Sequence, residues 1–489
     1  MLRTSLPFAR LPALVTRAAF KFKTGQRAGI ATHATARSAR AGVAVHGSLK
    51  TQQQRGLASM ALAAAEEPEH MVCASTAAAK DAILHRMWNH IQSTGEENAF
   101  YVVDTAAIED RYNLWMTHLP YVKPYYAVKC NPDQRILSTL ARLGTGFDCA
   151  SMAEVNDVLC AGVDASNIIY ANPCKQPSHI SFAATTGVNV MTFDGCDELT
   201  KMKKLHPDAQ VVLRLFVDDS HSQCPLGTKF GAVLNDVPAI LRHAKAIGSN
   251  VVGVSFHVGS GCFNVSAYSD AVLRARKAFD IGASLGFNFE LLDIGGGFPG
   301  DETAPVAFED IGRELNKSLS EHFPVSSGVR IISEPGRFFA AASHTLAVNV
   351  IARKLAPNSL AALTPSGSSP LKASQGKRGL HGSVDPYYMY FVNDGLYGSF
   401  NCLLYDHAVV HPKALTTVDD SAAFTSSIWG PTCDGLDCIA KDIKMPVMDI
   451  GDWMYFANMG AYTSAAGSHF NGFVPPQKVY FDSTTTDDE

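Results

Sequence analysis

No stretch of the 489-residue chain is apolar for the roughly 20 residues that a helix needs to cross a bilayer, and the net charge is only −5. That balance leaves no footprint for nucleic acid or an acidic membrane. None of the 11 cysteines forms a CxxC pair or a Cys/His metal spacing, and no secretory signal precedes them. They read as buried or free thiols, neither a disulfide framework nor a metal site. No internal repeat is present. Acid is missing as well, at one end only: Met1 to Ala65 holds ten lysines and arginines, from Arg3 to Arg55, and no Asp or Glu. A basic, acid-free, Ala/Ser/Thr-rich start has the composition of a chloroplast or mitochondrial transit peptide. The other reading is a disordered basic extension on a cytoplasmic protein, with Met60 or Met71 as alternative starts. Either way residues 1–69 stand outside the fold.

What remains is 46% hydrophobic overall and 18% charged, with enough length for two domains. Between about Ala99 and Phe339, eight short apolar runs alternate with stretches long enough for helices. The runs are Tyr125–Lys129, Gly146–Ala150, Ile168–Asn172, Val190–Asp194, Val211–Phe216, Gly253–Val258, Leu291–Gly295 and Arg330–Glu334. Right-handed crossovers make such strands parallel, so the pattern predicts an α/β fold, a (β/α)8 TIM-type barrel over about 105–340. The runs close on polar or glycine positions: Lys129, Asp148, Asn172, Asp194, Arg214, His257, Gly295 and Glu334. Functional groups of such barrels stand at those ends. Beyond Phe339 the runs Leu346–Ile351, Tyr388–Val392, Val447–Ile450 and Trp453–Phe456 predict a mostly antiparallel β domain, 341–489 joined by 70–104. A Ser/Gly/Pro/Lys-rich flexible loop is expected over 357–383, and a frayed polar tail ends the chain.

The chemistry gathers around Pro124-Tyr125-Tyr126-Ala127-Val128-Lys129-Cys130-Asn131. Its lysine ends a buried strand, where an ammonium is costly unless it snorkels out, is paired or is used covalently. Downstream are groups that a lysine Schiff base needs: a glycine turn that can hold an anion at Gly295-Gly296-Gly297, a carboxylate with an arginine at Glu334-Pro335-Gly336-Arg337, and a histidine turn at His257-Val258-Gly259-Ser260. Together they outline a site for pyridoxal 5'-phosphate, the electron sink that removal of CO2 from an amino acid requires.

The motifs YAVKCN, FDCAS, HVGSGC, DIGGGFPG, SEPGRF, VNDGLYGSFNC, YDHA, WGPTCDGLD and GAYT stand in this order between about Phe100 and Val479. Through them the chain resembles the eukaryotic ornithine decarboxylase family, pyridoxal-phosphate decarboxylases with an alanine-racemase-like barrel. The resemblance implies that Lys129 carries the cofactor, that Glu334 keeps its pyridine nitrogen protonated and that His257 stacks on its ring without binding a metal. It places the phosphate on Gly295, Gly296 and Gly297 with Ser260, Arg337 and Tyr462, Pro335 and Gly336 belonging to the same turn. Asp148, Glu154 and Arg214 fall near the cofactor. Cys433 corresponds to the residue that returns a proton to Cα, while Asp434, Tyr405 and Asp406 correspond to those around the distal amine. Cys433 and Asp434 reach across from a partner subunit in the family, so a homodimer with shared sites is implied, helped by Gly398–Asn401 and Phe470-Asn471. The implied reaction is decarboxylation of L-ornithine to putrescine, the first step of polyamine synthesis. Lysine, arginine, diaminopimelate or carboxynorspermidine are alternative substrates. A non-catalytic regulator like the antizyme inhibitors is the alternative from another class, and an antizyme-type partner of an active enzyme stays open.

Overall fold

The computed structural model describes residues 72–356, 386–415 and 423–485. The basic extension and the 357–383 stretch lie outside the described residues. Helix α1 (Val72–Thr94) leads into β1 (Phe100–Asp104), then α2 (Ala106–His118) and β2 (Val122–Ala127). From β2 the chain alternates as its apolar runs require. Helix α3 (Gln134–Arg142) is started by Asp133, whose side chain accepts the Arg135 N–H, and turns Ile136, Leu137 and Leu140 inward. The strands that follow are β3 (Gly146–Cys149), β4 (Ile168–Tyr170), β5 (Val190–Phe193), β6 (Gln210–Arg214), β7 (Ser222–Cys224), β8 (Asn250–Ser255), β9 (Ser260–Cys262), β10 (Leu291–Asp293) and β11 (Arg330–Ser333).

Eight of these strands close a barrel in the order β10-β11-β2-β3-β4-β5-β6-β8, every neighbouring pair parallel. The fold class is the expected one. Helices cover the outside, so a strand here is buried on both faces and spells a continuous apolar run. The barrel lumen is packed: Tyr125, Ile169, Val212, Leu291 and Ile332 form one cluster inside it. Gly146 makes room for the Tyr125 ring, since a Cβ there would come within 2.4 Å of it. Strands β7 and β9 stand apart as a two-stranded antiparallel ribbon.

The second sheet is built from β1, β12 (His344–Leu355), β13 (Tyr388–Val392), β14 (Lys413–Ala414), β15 (Phe424–Trp429), β16 (Cys438–Met445), β17 (Trp453–Phe456) and β18 (Gln477–Phe481). Its neighbours are antiparallel except β1 with β18 and β13 with β15. Alternation along β1 sends Phe100 and Val102 to a cluster with Met87 and Ile91 of α1, and Tyr101 and Val103 to the opposite cluster with Leu346, Tyr390 and Phe456.

Three sequence expectations need correction. The barrel strands stop one to three residues before the runs do, so Lys129 sits in a 3-10 turn, Val128–Cys130, and Glu334 one residue past β11. Polar groups that seemed to end strands belong instead to the turns that follow. Val447–Ile450 is not a strand but the loop between β16 and β17; its apolar character serves Met448, fully buried in the sheet's core. Finally β15 and β16, which the apolar runs did not reveal, are strands.

Candidate active site

Six functional side chains rise from the C-terminal ends of the barrel strands toward one cavity of about 300 Å3, at the low end of the roughly 300–1,000 Å3 typical of ligand clefts. Its wall comprises Ala127, Lys129, His257, Ser260, Gly297, Phe298, Glu334, Gly336, Arg337 and Tyr462. The lysine after β2, the acid after β11 and the glycine turn after β10 therefore share one space.

Lys129 donates to Asp148, a fully buried member of β3. The side chain is 41% exposed because it borders the cavity, although protein encloses it. Burial alone would lower its pKa; the charges of Asp148, Tyr462 and Glu334 outweigh that and hold the amine above an ordinary lysine. The turn is packed closely: Gly336 admits no Cβ without approaching that of Cys130 to 2.9 Å, and the Ala127 N–H donates to the Pro335 carbonyl at 3.2 Å.

Glu334 has a neighbour that sequence reading missed. Asp293, the last residue of β10, is buried beside it, and burial pushes the Asp293 carboxyl up to about 6. Burial, then the Asp293 and Asp148 charges, raise Glu334 well above the ordinary range. The Asp293 Oδ1 accepts the Gly295 N–H at 2.9 Å. Asp148 Oδ1, Asp293 Oδ2 and Glu334 Oε1 are buried without a hydrogen-bond partner. The signal that could have revealed Asp293 is its place before the glycine turn, where a strand-end acid faces the same rim as Glu334.

The glycine turn is a place where only glycine fits. Gly295 and Gly297 have φ of +63° and +110°, and a Cβ would lie 2.2 Å from the Phe256 carbonyl oxygen or 2.5 Å from that of Gly259. Arg337 reaches the same end: its Nη2 donates to Ser260 Oγ at 3.0 Å and to Asp406 Oδ1 at 2.6 Å, with the guanidinium 5.2 Å from the Tyr462 ring centre. The Nε of Arg337 is buried and unpartnered. His257 accepts the Gly259 N–H on Nδ1 at 3.0 Å, so its proton belongs on Nε2. Burial first, then Arg214 and Lys129, hold it well below the usual histidine range, so it is neutral.

The other predicted groups divide. Arg214 lies over the Phe230 ring at 5.1 Å, and Glu154 accepts the Ala150 N–H at 2.5 Å. Asn172 and Asp194, also at strand ends, bond the Ala150 carbonyl and the Gly231 N–H and brace loops instead of the cavity. Asp406 reaches the site through Arg337, whereas Tyr405 beside it is 73% exposed and no part of the cavity wall. Cys433 and Asp434 are not in that wall either. They sit on a loop knitted by Asp437, which accepts from Leu396 N, Thr432 N and Thr432 Oγ1. The Asp434 carboxylate takes the Tyr397 hydroxyl, and Tyr397 stacks on Phe470 with centroids 4.2 Å apart. Sequence reading named Phe470 and missed Tyr397.

A cavity with a lysine amine, a buried acid, a glycine anion cradle and a spare guanidinium N–H fits one cofactor's aldehyde, pyridine nitrogen and phosphate. Residues 105–341 match the family model "Pyridoxal-dependent decarboxylase, pyridoxal binding domain". The chain is also 49% identical to ornithine decarboxylase of Mus musculus over 405 residues, 82% of this chain and 84% of that one. The chain belongs to the pyridoxal-dependent decarboxylases. Within that family it is 46% identical to antizyme inhibitor 2 of Xenopus laevis over 80% of its length and 82% of that protein's. Among solved structures, the arginine decarboxylase of Paramecium bursaria Chlorella virus superposes with a TM-score of 0.73 at 34% identity, covering 81% of this chain and all of that one. The decarboxylase cofactor is pyridoxal phosphate, and the orphaned polar atoms named above are the ones it would satisfy.

Proposed function

We propose that this decarboxylase acts on L-ornithine, releasing CO2 and putrescine. The observation that carries the reading is the single cavity shared by Lys129, Glu334, Gly297 and Arg337, in a chain 49% identical to a mammalian ornithine decarboxylase. Bound there, pyridoxal phosphate supplies the electron sink for the carbanion left at Cα.

The chain's own groups do the rest. Lys129 is the amine that takes the cofactor's carbonyl carbon, steadied by Asp148. Glu334 holds a proton at the pyridine nitrogen, and Asp293 beside it raises its affinity for that proton. Neutral His257 lies against the ring without adding a charge. The N–H groups of Gly295–Gly297, Ser260 Oγ and the Arg337 guanidinium bind phosphate, a positively polarised end opposite the acids. Cys433 delivers the proton to Cα, and Asp406 and Asp434 grip the distal ammonium of a diamino acid.

Cys433 and Asp434 are absent from the cavity wall of their own chain, while Tyr405, Leu436, Phe473 and Val474 are large exposed apolar side chains near that half of the molecule's site residues. Both facts support a homodimer in which each subunit lends this loop to the other. The acid-free first 65 residues support import into a chloroplast or mitochondrion, which a fluorescent fusion to that segment tests.

The amphibian antizyme inhibitor is the reason to keep a second reading, a regulator that binds a partner without catalysis. Borohydride reduction followed by mass analysis separates them: an enzyme carries a trapped cofactor on the Lys129 peptide and releases CO2. Assaying ornithine, lysine, arginine, diaminopimelate and carboxynorspermidine side by side fixes the substrate. Faster turnover of any other than ornithine overturns the assignment.

A further inference from the structure

Lys129 stands on a three-residue turn, and a short turn keeps its place only if something outside it holds on. On the barrel side the Tyr126 hydroxyl donates to the Asn131 carbonyl at 2.9 Å. The remaining holders belong to the second sheet and its loops. The Tyr462 N–H donates to the Cys130 carbonyl at 3.0 Å, and Asn131 Nδ2 donates to the Gly460 carbonyl at 2.9 Å.

The segment ends at Asp133, whose side chain is only 3% exposed. One oxygen starts α3 through the Arg135 N–H at 2.8 Å. The other accepts from Lys478 Nζ at 2.5 Å and from the Tyr480 hydroxyl at 2.8 Å. Lys478 and Tyr480 are two residues apart on β18, so the period of a strand puts both on one face, while Val479 and Phe481 turn to the cluster under α1. Burial would raise the Asp133 carboxyl, but Lys478, Tyr480 and the Arg135 N–H outweigh it and keep the group ionised below the usual range.

We propose that Asp133, Lys478 and Tyr480 are positioning residues that tie the last strand of the second domain to the turn carrying Lys129, and so set where its amine stands on the barrel rim. The inference rests on Lys129 as the cofactor's attachment point. A contact between domains could lie anywhere along their boundary; this one lies four residues from the lysine and at the start of the helix that follows it. Loosening it moves the Lys129 turn and the head of α3 together. The glycine turn and Arg337, fixed by β10, β11 and β9, stay behind. The lysine then shifts relative to the phosphate end, and a misplacement of about 1 Å can cost about 100-fold in rate.

The test uses the holoenzyme of three variants: Lys478→Met, which removes the cation but keeps the length, Tyr480→Phe, which removes one hydroxyl, and Lys478→Arg. Cofactor release is followed by absorbance on dilution, alongside kcat, KM and melting temperature. Lys478→Met is expected to release cofactor about tenfold faster and lose about tenfold in kcat, with KM for the amino acid within about twofold, because the amine-binding acids are not on this turn. Tyr480→Phe should move both in the same direction by about threefold, and Lys478→Arg should come back to within about twofold of the parent. If cofactor release and kcat stay within about twofold of the parent in Lys478→Met and Tyr480→Phe, the proposal is wrong even if the melting temperature drops. Should Lys478→Met not accumulate as folded protein, Tyr480→Phe alone decides. Lys129→Ala, reduced with borohydride in parallel, keeps the two readings apart: a cofactor adduct surviving in that variant would overturn the attachment point itself.

Discussion

The two halves of the active site are built in opposite ways. The barrel half is enclosed: Asp148, Asp293, Glu334 and His257 are held among strands whose own packing fixes them, and several of their polar atoms are left for a ligand to satisfy. The half that carries Cys433 and Asp434 is equally ordered within itself, through Asp437 and the Tyr397–Phe470 stack, yet stands apart from the cavity in its own chain. A rigid barrel can hold a cofactor permanently without help. A loop fixed on the second domain can complete a site only where a second surface meets it, so one half of the chemistry depends on folding and the other on association.

That contrast can be broken most sharply at Lys129. Lys129→Ala should bring turnover to the limit of detection and remove the cofactor's absorbance, because the barrel half then has no amine to hold the carbonyl carbon. Appreciable CO2 release from this variant would mean that the barrel half is misread. Cys433→Ala should act differently, leaving cofactor absorbance in place while kcat falls by about 10²–10⁴ and the product mixture changes as the proton goes elsewhere. A loss of cofactor in Cys433→Ala would erase the distinction between the halves. The comparison is sharpened by mixing the two inactive variants. If each site takes Lys129 from one subunit and Cys433 from its partner, random exchange makes about half the dimers mixed, each with one sound site, and about a quarter of parental activity returns. No recovery after exchange would place both groups in one chain.

The same division governs what the sequence made legible. Parallel strands buried on both faces have no choice but to be apolar, so all eight barrel strands stood out as runs, and Lys129, Glu334 and the glycine turn were found by their positions at the ends. The limits blurred because a turn such as Val128–Cys130 continues the apolar character of β2 before the chain changes direction. The second sheet was harder to see. Strand β15 reads Phe-Thr-Ser-Ser-Ile-Trp and β16 alternates Lys and Asp with apolar residues, half-exposed patterns that resemble loop composition. Val447–Ile450 failed in the opposite direction, since Met448 is apolar to fill the core from a loop whose N–H meets the Tyr390 hydroxyl at 3.2 Å. Asp293 and Tyr397 escaped notice because their roles come from neighbours remote in sequence, Glu334 and Asp434.

The smallest effect on turnover is expected at Asp293, and there pH separates its contributions. Its carboxyl is raised to about 6 in the folded protein, chiefly by burial, against about 3.9 for an exposed aspartate. A group whose folded value is raised favours the native state while it is protonated. Its contribution is therefore full below about pH 4, declines as pH rises toward 6 and is gone above that, a swing of about 3 kcal/mol at most. Asp293→Asn cannot ionise, and its carbonyl oxygen can still accept the Gly295 N–H. The cofactor-free variant should thus be more stable than the parent at pH 7 and indistinguishable from it near pH 4, as melting curves across that range would show. Turnover should fall only several-fold, because Glu334 keeps its place and loses a neighbouring charge that raised its proton affinity. A variant less stable than the parent at pH 7 would mean that the Asp293 carboxylate is held by a cation in the folded state, and that the acid end of the cavity is paired instead of waiting for the pyridine nitrogen.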